Sequence, residues 1–120
     1  MNHNPLSVNL ELLEERFFKD GEFLSEVLEN YKNTCKTCFD DFRISLINKD
    51  CQLLVKTAHK LRGSTLNFTN DSLVEKLAKI EFDAMEGNMG KISFSDIDNM
   101  EKNVGDFTGR LSQVVKDWAQ

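Results

Sequence analysis

Apolar residues recur every three or four positions along the last quarter of the chain. They are Ile97, Met100, Val104, Phe107, Leu111, Val114 and Trp118. Because positions three and four apart share one face of an α-helix, this spacing predicts an amphipathic helix from about Ser95 to Ala119. Sustained heptads of this kind also occur in coiled coils. A helix inside a bundle is favoured here, since a second long helix earlier in the chain offers a complementary apolar face.

The rest of the chain shows the same helical spacing, interrupted by short polar turns. The predicted helices span about 8–18, 22–47, 51–68 and 72–86. Ser7 is a suitable N-cap for the first of these helices and Asp50 for the third. Ser72 and Glu75 have the spacing of a capping box for the fourth, although an earlier polar residue fits equally well as its cap. The glycines of the segment 87–90 end that helix.

This order of helices predicts an all-α fold. The expected architecture is an up-down four-helix bundle with a short additional N-terminal helix. Residues 1–7 are predicted to be a flexible N-terminal lead-in, and residues 8–120 are predicted to form the helical bundle domain. At 120 residues the chain is long enough for one domain with a substantial core.

Charge and hydropathy exclude several classes of function. The formal net charge is −5 at pH 7, which argues against non-specific binding to nucleic acid. No apolar run approaches the roughly 20 residues that a membrane-spanning helix needs, so no membrane association is expected. No basic-then-apolar leader precedes the first helix, so a cytoplasmic location is expected.

The three cysteines allow a redox or metal function, because Cys35 and Cys38 form a Cys-x-x-Cys sequence. Redox pairs of this kind normally follow a strand, whereas this one lies inside a helical pattern. A zinc site would need two further ligands, and the strong candidates are Cys51, His3 and His59. The role of small buried apolar residues is favoured for Cys35 and Cys38, and no bound metal is expected.

The third helix carries a histidine that points away from its apolar stripe. The stripe consists of Leu54, Ala58, Leu61, Thr65 and Phe68. At about 100° per residue, His59 lies about 140° from Leu54, so its imidazole is expected to face outward. Arg62 and Gly63 follow one turn later on the same side. Val55 and Leu66 are apolar residues on that side too, which is unusual for a solvent-facing surface.

Gly63 needs a compensating reason, since glycine inside a helix costs about 0.5–1 kcal/mol relative to alanine. An absent side chain beside the imidazole would let a bulky partner approach. Arg62 would supply a permanent positive charge with forked donors suited to phosphate oxygens. The alternatives are that His59 is an ordinary surface residue and that Gly63 is a packing notch.

These residues resemble the signature of histidine-containing phosphotransfer (HPt) domains. The sequence His59-Lys60-Leu61-Arg62-Gly63-Ser64-Thr65, followed by Phe68 and Leu73, is similar to the family pattern His-x-x-Lys-Gly-Ser-Ser/Ala, an apolar residue, Gly-Ala and Leu. The resemblance extends from the first short helix to Trp118. Arg62 stands where lysine is usual, and Thr69-Asn70 stands where Gly-Ala is usual.

The resemblance implies roles for four residues. His59 would accept a phosphoryl group, Arg62 would stabilise the charge of that group, and Gly63 would allow close approach of the partner. Glu81 stands where the family has a glutamine or acidic residue that orients the imidazole through Nδ1. The alternative for Glu81 is a solvated surface acid.

The resemblance also implies partners. The phosphoryl group would come from a phosphoaspartate on the receiver domain of a sensor histidine kinase and pass to an aspartate on the receiver domain of a response regulator. Mg²⁺ would be supplied by the partner receiver domain, and this chain would be a monomeric phosphocarrier without a cofactor rather than an enzyme. The expected docking residues are Val55, Lys56, Lys60, Leu66, Leu13 and Phe18.

Two other classes remain open from the sequence. The chain could be a non-catalytic helical adaptor or dimerisation module in which His59 is incidental, or a metal or redox protein that uses Cys35 and Cys38. A free-standing relay protein is expected, although a domain cut from a longer kinase could begin in the same way. No nucleotide-binding glycine-rich loop, Ser-His-Asp arrangement or paired-carboxylate site is evident.

Overall fold

The structure, a computed structural model, describes residues 8–69 and 71–119. Within these ranges the secondary structure is entirely helical, so the prediction of an all-α bundle is confirmed. The up-down order of its helices stays a prediction. The elements are α1 (Leu10–Phe17), α2 (Gly21–Asn48), α3 (Cys51–Thr65), α4 (Ser72–Met85), a short 3₁₀ turn (Met89–Lys91) and α5 (Phe94–Trp118).

Each α-helix begins at a polar side chain that accepts a backbone hydrogen bond from its first turn. These N-caps are Asn9, Asp20, Asp50, Asp71 and Ser93. Such a side chain satisfies one of the four N–H groups that have no partner inside the helix. Ser93 and Asp96 bond reciprocally and form a complete capping box at the start of α5.

These caps correct the predicted start of the first helix and decide between the two caps left open for the fourth. The first helix begins at Leu10 rather than at Val8, since the Asn9 side chain accepts from the Leu12 N–H at 3.1 Å. The predicted cap Ser7 and the predicted lead-in lie outside the described residues. For the fourth helix the earlier cap is the correct one, because Asp71 accepts from the Leu73 N–H at 3.3 Å.

Helix α3 packs between α2 and α4, and α2 in turn packs against α5. Its predicted apolar stripe is confirmed: Leu54, Ala58, Leu61, Thr65 and Phe68 are all at most 1 % exposed. The predicted inward face of α5 is buried from Ile97 to Val114, with Trp118 partly buried at its end. Burial of this kind of surface contributes roughly 25 cal/mol per Å² and supplies most of the stability of a small bundle.

Short helix α1 is held against the bundle by aromatic packing and one polar contact. Phe17 packs against Phe68 and Phe23 with ring centroids 5.8 and 5.2 Å apart, and Tyr31 lies 5.0 Å from Phe68. Arg16 donates from Nη1 to the backbone carbonyl of Leu66 just after the end of α3. These contacts place α1 beside the C-terminal end of α3.

This packing corrects the prediction that Leu13 is a docking residue. Leu13 is fully buried in the described structure, since it lies on the face of α1 that enters the core. A residue without exposed surface is not available to a partner. Phe18, the other residue predicted to dock from this helix, is 79 % exposed and has a left-handed φ of 56° at the C-cap of α1.

No helix in the described parts of the chain has the length and hydropathy needed to cross a membrane.

Candidate functional site

His59 lies on the solvent-facing side of α3, as its angular position predicts. Its side chain is 69 % exposed. The preceding residues Thr57 and Ala58 are buried, and the core packing of Ala58 holds this part of α3 against the bundle. The Thr57 hydroxyl donates within the helix to the Leu53 carbonyl at 2.7 Å. The imidazole therefore projects from a rigid, well-packed element rather than from a loop.

Glu81 of α4 lies against the same imidazole. Its Oε2 is 3.1 Å from His59 Nδ1, and its side chain is only 16 % exposed. The extensive packing of α3 against α4 brings the two residues together, although they are 22 positions apart in the sequence. Glu81 is therefore a half-buried carboxylate at the imidazole, and the alternative that it is a freely solvated acid does not fit this geometry.

Arg62 completes a cluster of three groups, which we term the imidazole triad: His59, Arg62 and Glu81. Arg62 Nη2 donates to Glu81 Oε1 at 2.8 Å and lies 3.2 Å from His59 Nδ1. Burial raises the pKa of the Glu81 carboxyl, but the hydrogen bonds and charges of Arg62 and His59 outweigh it, so its pKa is lowered overall. Glu81 is consequently ionised at neutral pH.

The two nitrogens of the imidazole have different surroundings. Nδ1 faces Glu81 and Arg62, whereas Nε2 has no hydrogen-bond partner among the described residues. When Nδ1 carries the ring proton, it donates to the carboxylate of Glu81 and leaves a lone pair on Nε2. The arrangement can thus present Nε2 as an accessible nucleophile.

Arg62 does not lie where a phosphoryl group on Nε2 would be. Its guanidinium is bonded to Glu81 on the Nδ1 side of the imidazole, and its side chain is 29 % exposed. The two ring nitrogens point in opposite directions, so this rotamer directs Arg62 away from Nε2. Direct contact with phosphoryl oxygens would require the guanidinium to leave Glu81.

Gly63 is exposed, and its missing side chain is not needed for packing. A Cβ atom there would meet no described atom within 4 Å outside its own helix backbone. The packing-notch alternative is therefore wrong for the described part of the chain. The same is true of Gly105 and Gly109 on α5, so open space at a glycine does not by itself mark a site.

The other predicted docking residues lie on α3 with different degrees of exposure. Lys56 and Lys60 are exposed, and Val55 and Leu66 are half-buried. Leu66 is close to α1, because its carbonyl accepts from Arg16. Phe18 on α1 is exposed as well, so every predicted docking residue except Leu13 has surface that solvent can reach.

Two exposed apolar residues near Glu81 were missed by the sequence analysis. Phe82 and Met85 on α4 are 61 % and 67 % exposed. Met85 lies one helical turn beyond Glu81 and therefore on the same side of α4. Exposure of these two residues could have been predicted from the sequence, because both lie outside the apolar stripe of α4. That stripe consists of Leu73, Leu77, Ile80 and Ala84.

Cys35 and Cys38 are small buried residues, as the sequence analysis favoured. Cys35 and Cys38 are buried in α2 at 7 % and 1 % exposure, and all three cysteines are free thiols. Among the described residues, no group of three or more His, Cys, Asp or Glu side chains is arranged to hold a metal ion. His3, one of the candidate zinc ligands, lies outside the described residues.

Comparisons of this chain with protein-family models, with curated proteins and with solved structures give no match.

Proposed function

We propose that this protein is a histidine phosphotransfer protein of a two-component phosphorelay. In this proposal, His59 accepts a phosphoryl group from a receiver-domain phosphoaspartate and passes it to an aspartate on another receiver domain. The observation that carries the proposal is the exposed imidazole of His59, with Nδ1 held at 3.1 Å from Glu81 and Nε2 open to solvent. The resemblance of the segment from His59 to Thr65 to the HPt signature supports the same function.

The chemical step is an in-line displacement at phosphorus. The Nε2 lone pair attacks the phosphorus of the acyl phosphate, an N–P bond forms, and the P–O bond to the aspartate breaks. The electron pair of that bond leaves with the aspartate as a carboxylate. The proton on Nδ1 stays on the ring, so the imidazole becomes positively charged as the N–P bond forms.

Glu81 has two roles in this step. It holds the ring proton on Nδ1, which keeps Nε2 free to attack, and its negative charge stabilises the positive charge that develops on the ring. Its lowered pKa keeps it ionised for both roles. In the reverse transfer, the electron pair of the N–P bond returns to Nε2, and the ring leaves as a neutral imidazole with its proton still on Nδ1. Glu81 therefore holds the same proton in both directions.

The partner supplies the remaining chemistry. The receiver domain is expected to bring Mg²⁺ and the aspartate, and this chain is a phosphocarrier rather than an enzyme with turnover of its own. Positive charge at the exposed Lys56 and Lys60 attracts the phosphorylated partner. The expected apolar contacts of a small transient interface are Val55, Leu66 and Phe18. Met85, which is exposed on the Glu81 side of α4, is a further candidate.

The test is incubation with a phosphorylated receiver domain and Mg²⁺, followed by intact-mass measurement and an acid-lability assay. We expect the wild-type protein to gain a single acid-labile phosphoryl group. His59→Gln is expected to gain none, whereas His3→Gln, which alters the other histidine of the chain, is a matched control that still becomes labelled.

Two outcomes would overturn the proposal. Label that remains in His59→Gln would move the acceptor to another residue. An absence of label from several unrelated receiver domains would favour the adaptor or dimerisation alternative, in which His59 is a surface histidine.

A further inference from the structure

We propose that Arg62 is a positioning residue that acts on His59 through Glu81 rather than on the phosphoryl group itself. Its guanidinium anchors the Glu81 carboxylate, and the anchored carboxylate selects the imidazole tautomer with the proton on Nδ1. The effect on transfer rests on the function proposed above. The effect on the tautomer does not, because it is a property of the protein without any partner.

The distances in the imidazole triad carry the first step. The bond from Arg62 Nη2 to Glu81 Oε1 is the shortest contact of the cluster at 2.8 Å, and the other oxygen of the same carboxylate faces His59 Nδ1 at 3.1 Å. One carboxylate thus bridges the arginine and the histidine. With Oε1 held by Arg62, the position of Oε2 at the ring is set as well.

Burial indicates which partner of Glu81 matters more. The side chains of Arg62 and Glu81 are 29 % and 16 % exposed, whereas that of His59 is 69 % exposed. A charge-assisted hydrogen bond is stronger where water is partly excluded. The Arg62–Glu81 pair is therefore the better-packed part of the cluster, and the more exposed imidazole orients against it.

An unsatisfied donor in Arg62 supports this reading. The Nε of Arg62 is buried and has no hydrogen-bond partner among the described residues. Leaving a buried donor unpaired is unfavourable. The rotamer is held in spite of this because Nη2 bonds to Glu81, so contact with the carboxylate determines where the guanidinium lies.

Arg62 also competes with Glu81 for the same ring nitrogen, which makes its role testable. Nη2 lies 3.2 Å from His59 Nδ1 and is only a donor. Acting alone, it would favour an unprotonated Nδ1 and a proton on Nε2, which is the tautomer that cannot attack phosphorus. Acting through Glu81, it favours the proton on Nδ1.

While Glu81 is present, the effect of Arg62 through the carboxylate outweighs its direct effect on Nδ1, so the proton on Nδ1 is favoured. If Nδ1 lost its proton, the half-buried carboxylate of Glu81 would lose the hydrogen bond from His59 and keep only the one from Arg62. The new hydrogen bond from Arg62 to the neutral Nδ1 would be weaker than the lost bond to a carboxylate. The net effect of Arg62 therefore depends on Glu81 and changes direction when Glu81 is removed.

The experiment measures the tautomer of His59 by ¹⁵N NMR of the imidazole in four proteins: wild type, Arg62→Gln, Glu81→Ala and the double variant. In the wild type we expect the Nδ1–H form to predominate at neutral pH. Arg62→Gln is expected to lower the fraction of that form. In the Glu81→Ala background, the same substitution is expected to leave the fraction unchanged or to raise it.

Lys60→Gln is the matched control for charge in this NMR measurement. It removes a positive charge from the residue next to His59, but Lys60 lies toward Cys38 of α2 and not at Glu81. We expect it to leave the His59 tautomer as in the wild type. Circular dichroism of each variant checks that the bundle is still folded.

The same variants are then compared in phosphoryl transfer as a double-mutant cycle. Arg62→Gln and Glu81→Ala are each expected to slow transfer by about tenfold, the effect of losing one charge-assisted hydrogen bond. The double variant is expected to be no slower than Glu81→Ala alone, because Arg62 acts through Glu81.

Two results would overturn the inference. One is an unchanged His59 tautomer in Arg62→Gln. The other is a further loss of transfer rate when Arg62→Gln is added to Glu81→Ala, which would show direct action on the phosphoryl group. An absence of transfer in the wild type would instead refute the proposed function, and the NMR result would still decide the role of Arg62.

Discussion

At the scale of single residues, the proposed chemistry depends on a few positions of α3. His59 is exposed on a helix whose other face is fully buried, and Gly63 follows one turn later without a side chain. A glycine in a helix interior reduces stability. Packing of the described residues does not require glycine at this position. Under the proposed function, the missing side chain gives a partner access to His59.

A substitution at Gly63 tests this reason directly. Gly63→Gln is expected to raise the free energy of unfolding by about 0.5 kcal/mol, because glutamine favours the helix more than glycine does. It is expected to slow phosphoryl transfer by about tenfold to a hundredfold, because the new side chain keeps the reacting atoms apart. Urea denaturation and the transfer rate measure the two effects.

Gly109→Gln is the matched control, since Gly109 also has open space beside it but lies on α5. We expect the same gain in stability with no change in transfer. Normal transfer by Gly63→Gln would show that the close-approach argument is wrong.

At the scale of elements, helix α2 illustrates how burial decides the chemistry of a motif. Cys35 and Cys38 are one helical turn apart and face the core beside Tyr31. Burial raises the pKa of the Cys35 thiol to about 12, and burial also raises the pKa of the Cys38 thiol. Because the thiolate is the reactive form, a redox role for this pair is disfavoured.

The cysteine of α3 is therefore expected to react faster in the native protein than the two cysteines of α2. In the native protein, iodoacetamide is expected to modify Cys51 at the start of α3 first, because it is only half-buried. Cys35 and Cys38 are expected to react at comparable rates only after unfolding. Mass spectrometry of digested samples at successive times would show this order.

The variant Cys51→Ser is the control. It should lack the fast phase of modification that the wild type shows. Rapid native modification of Cys35 or Cys38 would contradict the burial of this face of α2.

At the scale of the whole molecule, the site exists only because α3 and α4 pack together. The Arg62–Glu81 ion pair joins these two helices across the edge of the core, and Glu81 is more buried than either of its partners. Arg62 and His59 lower the pKa of Glu81 in the folded protein even though burial opposes them. The contribution of this pair to stability must therefore depend on pH.

The direction of that dependence follows from the lowered pKa. The unfolded chain binds a proton at Glu81 more readily than the folded protein does. The stabilisation by the Arg62–Glu81 pair is therefore complete above the ordinary glutamate pKa of about 4.3. It is lost as the pH falls through the lower pKa that Glu81 has in the folded protein. We expect Glu81→Gln to be less stable than the wild type by about 1–2 kcal/mol at neutral pH. The difference should shrink as the pH falls below the ordinary glutamate pKa and Glu81 becomes protonated in the folded protein.

Urea denaturation of both proteins across this range measures the difference. Glu75→Gln, at an exposed position in the first turn of α4, serves as a control for the loss of one carboxylate. A difference between wild type and Glu81→Gln that stayed constant with pH would mean that the charge of Glu81 does not stabilise the fold.

Much of the fold could be predicted from the sequence because its determinants are local. Spacing of apolar residues identified α5 within one residue at each end, and the cap Asp50 was identified from its residue type. The predicted end of the third helix at Phe68 was too late by three residues. Regular helix ends at Thr65, and the residues that follow form a turn in which Phe68 still packs into the core.

The sequence by itself therefore determined the number and order of the helices, their apolar faces and the outward position of His59. Each of these depends on periodicity and capping within a few neighbouring residues. Only the tertiary structure decided that Arg62 bonds to Glu81, 19 positions away on another helix, and that α1 turns Leu13 inward and leaves Phe18 exposed. Those outcomes depend on how helices pack, because a contact between two elements is set by the relative placement of both and not by the pattern of either one.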